Sequence, residues 1–142
     1  MTTSDSAAAP VDRPRPDSPS GVAPYLTLSD ASAAADFYGR AFGAVESGRM
    51  ADKSGRVMHS HLRINGGSVM LSDGFPEHGH PVQTPQAFML HLAVDDVDAW
   101  WARAVAAGAE VVSPLQTMFW GDRYGQLRDP FGVIWSMGAP AS

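Results

Sequence analysis

The sequence predicts an α+β fold made of two βαβββ modules, and three observations lead to this prediction. A short apolar strand followed by an acidic helix start occurs twice, at residues 24–30 and again at 90–96. Each copy continues into an alanine-rich helical segment that stops at a Gly-Ala pair, and then into alternating apolar segments. Because two copies of one small unit can face each other and enclose a cavity, the repeat indicates where a site would lie.

Composition limits the function classes that the chain can belong to. It has 142 residues, the length of one domain, with 44% hydrophobic residues and a formal net charge of −5. Its lysines and arginines are scattered, which argues against a nucleic-acid or membrane partner. The chain has no cysteine, so disulfides and zinc–thiolate sites are excluded. We expect a cytoplasmic protein.

The amino-terminal segment differs in composition from the rest of the chain. It is rich in Pro, Ser, Ala and Asp, and it lacks the apolar stretch of a secretory signal. Residues 1–21 are therefore predicted to be a disordered tail. Residues 22–138 are predicted to be a single domain, with module 1 at about 22–74 and module 2 at about 87–138.

The first module begins with a strand at 25–28 and a helix. Asp30 can cap this helix, because its carboxylate can accept from the open N–H groups of the first turn. Gly43 stands where a left-handed residue would end the helix, and a second strand is predicted at 44–49. The buried side of the helix is predicted from apolar residues at helical spacing, namely Ala33, Phe37, Ala41 and Phe42.

Two alternating segments, at 59–64 and 68–73, predict a β-hairpin with one apolar face. Taking Gly66-Gly67 as the loop places Arg63 opposite Met70 and His61 opposite Ser72. This register gathers the branched apolar residues on one face, namely Leu62, Ile64, Val69 and Leu71. The other face then carries the polar and adaptable side chains, namely His59, His61, Arg63, Met70 and Ser72.

The second module repeats this plan after a Pro- and His-rich loop at 74–86. Its predicted elements are a strand at 88–94, a helix between Asp96 and Gly108, a strand at 110–113, and a hairpin of 118–128 with 133–138. The buried side of the helix is predicted from Val97, Trp101 and Val105. Right-handed crossovers place each helix on one sheet face, which leaves the other face to line a cavity.

Four spaced segments carry a resemblance to a known family. They are Ala34–Ala44, Val94–Asp98, Trp120–Gly125, and Leu127–Gly132 with Trp135. Together they resemble the PhnB-like branch of the vicinal-oxygen-chelate superfamily, which includes glyoxalase I, bleomycin-resistance proteins and extradiol dioxygenases. The resemblance covers about residues 22–138. It implies that the modules form a cupped, incomplete barrel that a second subunit often completes, and hence a homodimer.

In metal-dependent members of that superfamily, four His, Glu or Gln ligands come from the first and last strands of the modules. The flanking motifs carry these positions over to Ala23, Met70, Met89 and Ser136. The repeat agrees, because Ala23 to Met89 and Met70 to Ser136 both span 66 positions. Alanine has no donor atom, a thioether prefers soft ions, and a neutral serine hydroxyl binds metals weakly. We therefore expect no metal and no cofactor at these positions.

Three histidines remain as candidate catalytic residues. His59 and His61 lie on the predicted open face of the hairpin, and His91 shares a face with Met89 by strand alternation. They could hold a displaced metal, or act as acid and base near neutral pH. The alternative is three unrelated histidines at a wet sheet edge.

The loop between the modules carries a second histidine pair. His78 and His80 could close over a ligand, although solvated loop histidines are the more common case.

Arginines near the predicted cavity could bind an anionic group. Arg63 and Arg123 are the candidates, because a guanidinium can clamp a carboxylate or a phosphate. For Arg123 and Arg128 we favour a structural role, with Arg123 paired to Asp122 or Asp129. The acidic residues at the second helix start are better explained by helix capping than by catalysis.

Four aromatic residues could form a wall around a flat or apolar ligand, namely Phe75, Phe119, Trp120 and Tyr124. The alternative is that they pack in the core and at a dimer interface. Trp100 and Trp101 are adjacent in one helix, so they point about 100° apart and cannot both be buried on one face. One of them is expected to face a partner subunit.

The sequence thus favours a dimeric, cavity-forming protein that binds a small organic ligand without the usual metal, and it assigns no reaction. The residues expected to line the cavity are Arg63, Met70, Ser72, Met89, His91, Trp120, Tyr124 and Ser136. One alternative is a metal-dependent lyase or dioxygenase that uses His59, His61 and His91. Another is an antibiotic-binding resistance protein, which is disfavoured for a cationic drug because the predicted cavity face carries no carboxylate.

Overall fold

The computed structural model describes residues 21–141 and contains the two predicted βαβββ modules. The elements of module 1 are β1 (Tyr25–Leu28), α1 (Ala31–Phe42), β2 (Val45–Ala51), β3 (Val57–Ile64) and β4 (Gly67–Asp73). Those of module 2 are β5 (Leu90–Ala93), α2 (Val97–Ala107), β6 (Glu110–Thr117), β7 (Asp122–Arg128) and β8 (Ile134–Pro140). A single 3₁₀ turn at Pro76–His78 lies between β4 and β5. The tail predicted over residues 1–21 falls outside the described residues, apart from Gly21.

Each module forms a mixed four-stranded sheet with the same strand order. The orders are β1-β4-β3-β2 and β5-β8-β7-β6, in which the first pair is parallel and the others are antiparallel. Tyr25 pairs with Met70 in module 1, and His91 pairs with Ser136 in module 2. These pairs are related by the 66-residue offset of the repeat, so the symmetry in the sequence is also a symmetry of the fold. The two sheets are not closed into one barrel.

Both helices begin and end at the predicted residues. Asp30 accepts a hydrogen bond from the Ala33 N–H at 3.0 Å, and Asp96 accepts one from Ala99 at 3.2 Å. Each carboxylate satisfies an N–H group that would lack a partner in the first turn. Gly43 and Gly108 end the helices with left-handed φ values of 69° and 115°.

The buried sides of the helices differ from the predicted stripes. In α1, Ala33 is exposed, whereas Ala34 and Tyr38 are buried together with the predicted phenylalanines. In α2, Val105 is 40% exposed and Ala104 is fully buried. The reason is that α1 and α2 pack against each other as well as against their own sheets, which rotates and widens the buried arc.

Trp100 and Trp101 are both half-buried within the chain, and the expectation that one of them faces a partner subunit stays a prediction. Trp101 packs closely over Gly125 of β7. A Cβ atom at position 125 would lie only 2.5 Å from the Trp101 ring. The missing side chain of Gly125 therefore makes room for this indole.

Most strand ends lie a few residues from the predicted positions. β5 begins at Leu90 instead of Phe88, and β6 extends to Thr117 instead of Ser113. β7 begins at Asp122, because the residues before it form a turn in which the Met118 N–H donates to the Asp122 carbonyl. Boundaries of this kind depend on neighbouring strands, which a single segment does not reveal.

The register of the β3–β4 hairpin is shifted by two residues from the prediction. His61 lies opposite Met70 and Arg63 lies opposite Ser68, so the predicted Arg63–Met70 and His61–Ser72 pairs were wrong. The loop residues are Asn65 and Gly66, with φ values of 50° and 82°. An Asn-Gly loop with two positive φ values is the favoured tight hairpin turn. A slip of two residues keeps every side chain on its predicted face, so the face composition was correct.

The modules meet through their helices. Arg103 of α2 donates to the Arg40 carbonyl at the end of α1, with an Nε–O distance of 2.8 Å. In the opposite direction, Arg40 donates to the Ala107 carbonyl at the end of α2, at 3.3 Å. Each arginine thus satisfies carbonyl groups that the other helix leaves open at its carboxyl end.

A buried carboxylate links the two modules beneath this helix pair. Asp129, in the β7–β8 turn, is 3% exposed and accepts hydrogen bonds from the Tyr38 hydroxyl of α1 and from the Trp135 indole of β8. It also accepts from two backbone N–H groups of its own turn. Burial, together with the adjacent carboxylate, raises the pKa of Tyr38 far above its usual value. The tyrosine therefore remains a hydrogen-bond donor.

Neither helix in residues 21–141 has the length and apolar character needed to cross a bilayer.

Candidate functional site

Each sheet has one face covered by a helix and one open face. Alternation along the strands sends the apolar residues of β3, β4, β7 and β8 toward the helices, among them Leu62, Leu71, Leu127 and Met137, all fully buried. The intervening residues lie on the open faces, which carry the candidate site residues. The helices occupy the contact between the modules, so within residues 21–141 neither open face is covered by a helix.

The open face of module 1 carries the histidines predicted for it. Tyr25 reaches across the sheet, and its hydroxyl lies 3.1 Å from Nδ1 of His59. His61 is 5% exposed, and its Nε2 lies 2.9 Å from the Ser68 hydroxyl. Burial raises the pKa of Tyr25. Arg63 is exposed at the end of β3 near the hairpin turn.

The open face of module 2 carries a row of rings that we call the aromatic ladder: Phe119, Trp120, Tyr124 and His91. Successive ring centroids lie 5.0, 5.8 and 6.1 Å apart, and the last two rings are stacked at an interplanar angle of 20°. Nδ1 of His91 lies 2.8 Å from the Ser136 hydroxyl. Phe119 is 96% exposed and Trp120 is 50% exposed. A flat ring can therefore reach the ladder from solvent.

A glycine beneath the ladder makes room for its rings. A Cβ atom at Gly138 would lie 3.3 Å from the His91 ring and 3.6 Å from the Tyr124 ring. On the same strand, the Ser136 hydroxyl fixes one edge of the His91 imidazole. Gln126 donates to the Tyr124 hydroxyl at 3.2 Å. The inner rings of the ladder are thus held in place by hydrogen bonds within the chain.

Phe75 is not part of this aromatic wall. It lies in the loop after β4, where the Arg56 guanidinium sits 4.2 Å from its ring centroid. Arg56 also pairs with Asp52 and Glu77, and these contacts fix the loop against β3. Phe119, Trp120 and Tyr124 therefore lie together and Phe75 lies apart from them, and their contact with a ligand stays a prediction.

The loop after β4 closes one side of a pocket of about 500 Å³ on the open face of module 1. The sequence predicted a ligand contact for Ser72 and for the loop residues His78 and His80, which line this pocket, but not for Tyr25 and Met58. A signal for Tyr25 was present in the repeat, because Tyr25 is the equivalent of His91 at an offset of 66 residues. Both loop histidines are exposed.

The residues at the four metal-ligand positions of the family do not fit a divalent metal. Met70 is placed beside Tyr25 by the register of β1 and β4. The Ser136 hydroxyl is engaged by His91, and Ala23 offers no side-chain donor. Met89 is 46% exposed just before β5. A set made of alanine, two thioethers and one neutral hydroxyl lacks the imidazole and carboxylate groups that such ions need.

A displaced metal site is not assembled either. Within residues 21–141, no three His, Asp or Glu side chains are grouped so that they could hold a metal ion. His59 contacts Tyr25, His61 contacts Ser68, and His91 contacts Ser136. One chain therefore does not bring the three histidines together.

Arg123 and Arg128 have the structural roles that the sequence favoured. Arg123 donates to both carboxylate oxygens of Asp98 at 2.8–3.0 Å, which ties β7 to the start of α2. The expected partners, Asp122 and Asp129, were wrong because alternation turns Arg123 toward the helix. The hydrogen bonds from Arg123 lower the pKa of Asp98. Arg128 pairs with Glu110.

By the same alternation, Asp122 shares the open side of β7 with Tyr124. The open face of module 2 therefore carries one carboxylate at its end, contrary to the expectation that it carries none.

Large apolar side chains remain exposed on and around the open faces. They include Tyr25, Met50, Met58, Met89, Phe119 and Trp120, each between 46% and 96% exposed. Monomeric proteins rarely leave contiguous apolar surface of this kind uncovered.

Comparison with known proteins places this geometry in context. The family model described as Glyoxalase/Bleomycin resistance protein/Dioxygenase superfamily matches residues 22–137. An uncharacterized protein of Mycobacterium bovis is 47% identical over 125 residues, covering 84% of this chain and 82% of the relative. The crystal structure of TnmS3, an antibiotic binding protein from Streptomyces sp. CB03234, aligns with a TM-score of 0.64 at 28% identity, covering 84% and 93% of the two chains. A PhnB protein from Bacillus cereus aligns with a TM-score of 0.68 over 84% and 99%, and at 20% identity it shows the fold alone.

Proposed function

Because the chain belongs to the glyoxalase/bleomycin resistance protein/dioxygenase superfamily, we propose that it binds a small, flat organic molecule without the divalent metal of the metal-dependent members. The aromatic ladder is the observation that carries this proposal. Its outer rings are exposed and its inner rings are held by hydrogen bonds. Stacking on prearranged rings favours a planar ligand at low entropic cost.

The ligand lies between the ladder of one chain and the open face of module 1 in a second copy. Two observations support this arrangement. In the part of the chain that the structure describes, no helix covers either open face, and both faces carry exposed apolar side chains, such as Tyr25 and Met89. A homodimer that apposes the two faces buries this surface and gives the ligand two walls.

The proposal that the ligand binds without a metal rests on the side chains found at the four metal-ligand positions of the family. The four family positions hold Ala23, Met70, Met89 and Ser136, whose side chains do not suit a divalent ion. The competing proposal is a lyase or dioxygenase that holds a metal on His59, His61 and His91. Within residues 21–141, these three side chains are not grouped so that they could hold a metal ion.

One comparison favours a second candidate, which is the binding of an antibiotic. TnmS3 is described as an antibiotic binding protein and is 28% identical to this chain. The exposed ladder suits an antibiotic with a planar ring system. Asp122 is the one carboxylate that alternation places on the ladder side of β7, and it offers a contact for a positively charged group on such a molecule.

Lumichrome, an uncharged three-ring heteroaromatic compound, tests the proposal. We expect it to quench tryptophan fluorescence on binding, and we expect Trp120→Ala to weaken its affinity about tenfold through loss of stacking. Val105→Ala is the control, because Val105 is exposed on α2, away from both open faces. Equal affinities in the wild type and Trp120→Ala would show that the ladder is not the binding surface.

A further inference from the structure

A second binding site is suggested by the pocket on the open face of module 1. Its volume of about 500 Å³ lies within the range of small-molecule sites. The walls are apolar and come from Tyr25, Met58 and Phe75. All of its lining residues belong to module 1 and the loop after β4, so the pocket is complete within one chain.

Two hydroxyl groups form the floor of this pocket. Ser72 is 7% exposed, and its hydroxyl makes no hydrogen bond to any other described residue. Thr27 pairs with Ser72 across β1 and β4, and its hydroxyl also has no partner among residues 21–141. A buried hydroxyl without a hydrogen bond is costly, so a ligand atom that bonds to Ser72 would satisfy a group that the chain leaves open.

Within residues 21–141, no fixed charge lines the pocket. No Asp, Glu, Lys or Arg of this part of the chain is among its lining residues, and Arg56 lies behind Phe75, where Asp52 and Glu77 engage it. The titratable groups of the lining are Tyr25, His78 and His80. Burial raises the pKa of Tyr25, so its phenol stays uncharged at neutral pH. An ionic ligand would therefore find no charge of opposite sign next to the buried hydroxyls.

The geometry points to a binding site for an uncharged two-ring aromatic molecule that carries one hydroxyl group, the naphthol class. The rings lie between Tyr25, Met58 and Phe75, and the hydroxyl bonds to Ser72 and Thr27. This site does not include the aromatic ladder and needs no second copy, although it lies on the open face of module 1 that the proposed dimer places opposite the ladder.

The hydrogen bond is tested with two ligands of the same shape. We expect the wild type to bind 2-naphthol about fivefold more tightly than 2-methylnaphthalene, which lacks the hydroxyl. The double variant Thr27→Val, Ser72→Ala should bind both compounds equally, as measured by calorimetry. No binding of 2-naphthol by the wild type, or the same preference in the double variant, overturns the proposal.

The location is tested with two tryptophan positions. Met58 is 46% exposed, so Met58→Trp fills the pocket from its open side without disturbing the core. We expect this variant to lose 2-naphthol binding, and we expect Trp120→Ala to retain it. Binding kept in Met58→Trp, or lost in Trp120→Ala, overturns the site in module 1. Trp120→Ala should weaken lumichrome binding but keep 2-naphthol binding, so failure here and failure of the ladder proposal are distinguishable.

Discussion

At the scale of single residues, the Asp129 carboxylate joins the two modules. It accepts from Tyr38 in module 1 and from Trp135 in module 2, and all three side chains are buried. Stacked and edge-on rings surround this contact, with Trp135 centred 4.6 Å from Phe42 and 5.2 Å from Tyr38. A single donor lost here leaves a buried acceptor partly unsatisfied, which costs more than the loss of a hydrogen bond at the surface.

We therefore expect Tyr38→Phe to lower the free energy of unfolding by about 1–3 kcal/mol, since the ring stays and only the donor is lost. Urea denaturation measures this change. Tyr124→Phe is the matched control, because its hydroxyl lies on the open face and accepts from Gln126. Equal stabilities for the two variants would contradict the role of the buried network.

At the scale of elements, strand alternation in the sequence predicted which side chains share a face, but not how the strands align. Leu62 and Val69 were correctly placed on the apolar face. The pairing of Arg63 with Met70 was wrong, because a slip of two residues preserves both faces and the pattern alone cannot detect it. The preference of the tight turn for Asn65-Gly66 over Gly66-Gly67 was the signal that decides between the registers.

The turn register gives a direct test. Gly66 has a φ of 82°, and a Cβ atom there would meet no neighbour, so Gly66→Ala should cost about 1–2 kcal/mol of stability through backbone strain alone. Gly67→Ala is the control, because Gly67 lies in β4 without positive φ and its Cβ would make an ordinary 3.5 Å contact. Denaturation midpoints that fall equally for the two variants would favour the Gly66-Gly67 loop instead.

The β2 edge carries a pH-dependent contact. Burial raises the pKa of Glu46, but hydrogen bonds from Arg49 and Ser60 outweigh it, so the net pKa is lowered. A lowered folded-state pKa gives stability that is present above the ordinary carboxyl value of about 4 and is lost as the pH falls below it. Glu46→Gln should therefore be less stable than the wild type at pH 7, with the difference shrinking by pH 3. A difference that does not change between these two pH values would rule this contact out as the cause.

At the scale of the whole molecule, the repeat predicted two modules and their open faces, but not how the modules pack. That packing depends on contacts such as Tyr38 with Asp129 and Arg103 with the end of α1, which join segments far apart in sequence. Because the helices occupy the interface, the candidate residues Met70 and His91 belong to separate open faces. A cavity that uses both faces then requires a second copy of the chain.

Subunit exchange tests the two-chain cavity. Tyr25→Ala impairs the face of module 1 and Trp120→Ala impairs the ladder, so each homodimer should bind lumichrome weakly. After exchange, mixed dimers contain one intact pair of faces, and about a quarter of the wild-type binding capacity should return. No recovery, although mass spectrometry shows mixed dimers, would place both walls of the site in one chain.

The central claim is that the protein binds its planar ligand without a metal. Lumichrome titration of protein purified without chelators, repeated after dialysis against EDTA and paired with elemental analysis of both samples, tests it most directly. We expect the same dissociation constant before and after dialysis, and no stoichiometric transition metal in either sample. A stoichiometric metal whose removal abolishes binding, and whose return restores it, would contradict the account.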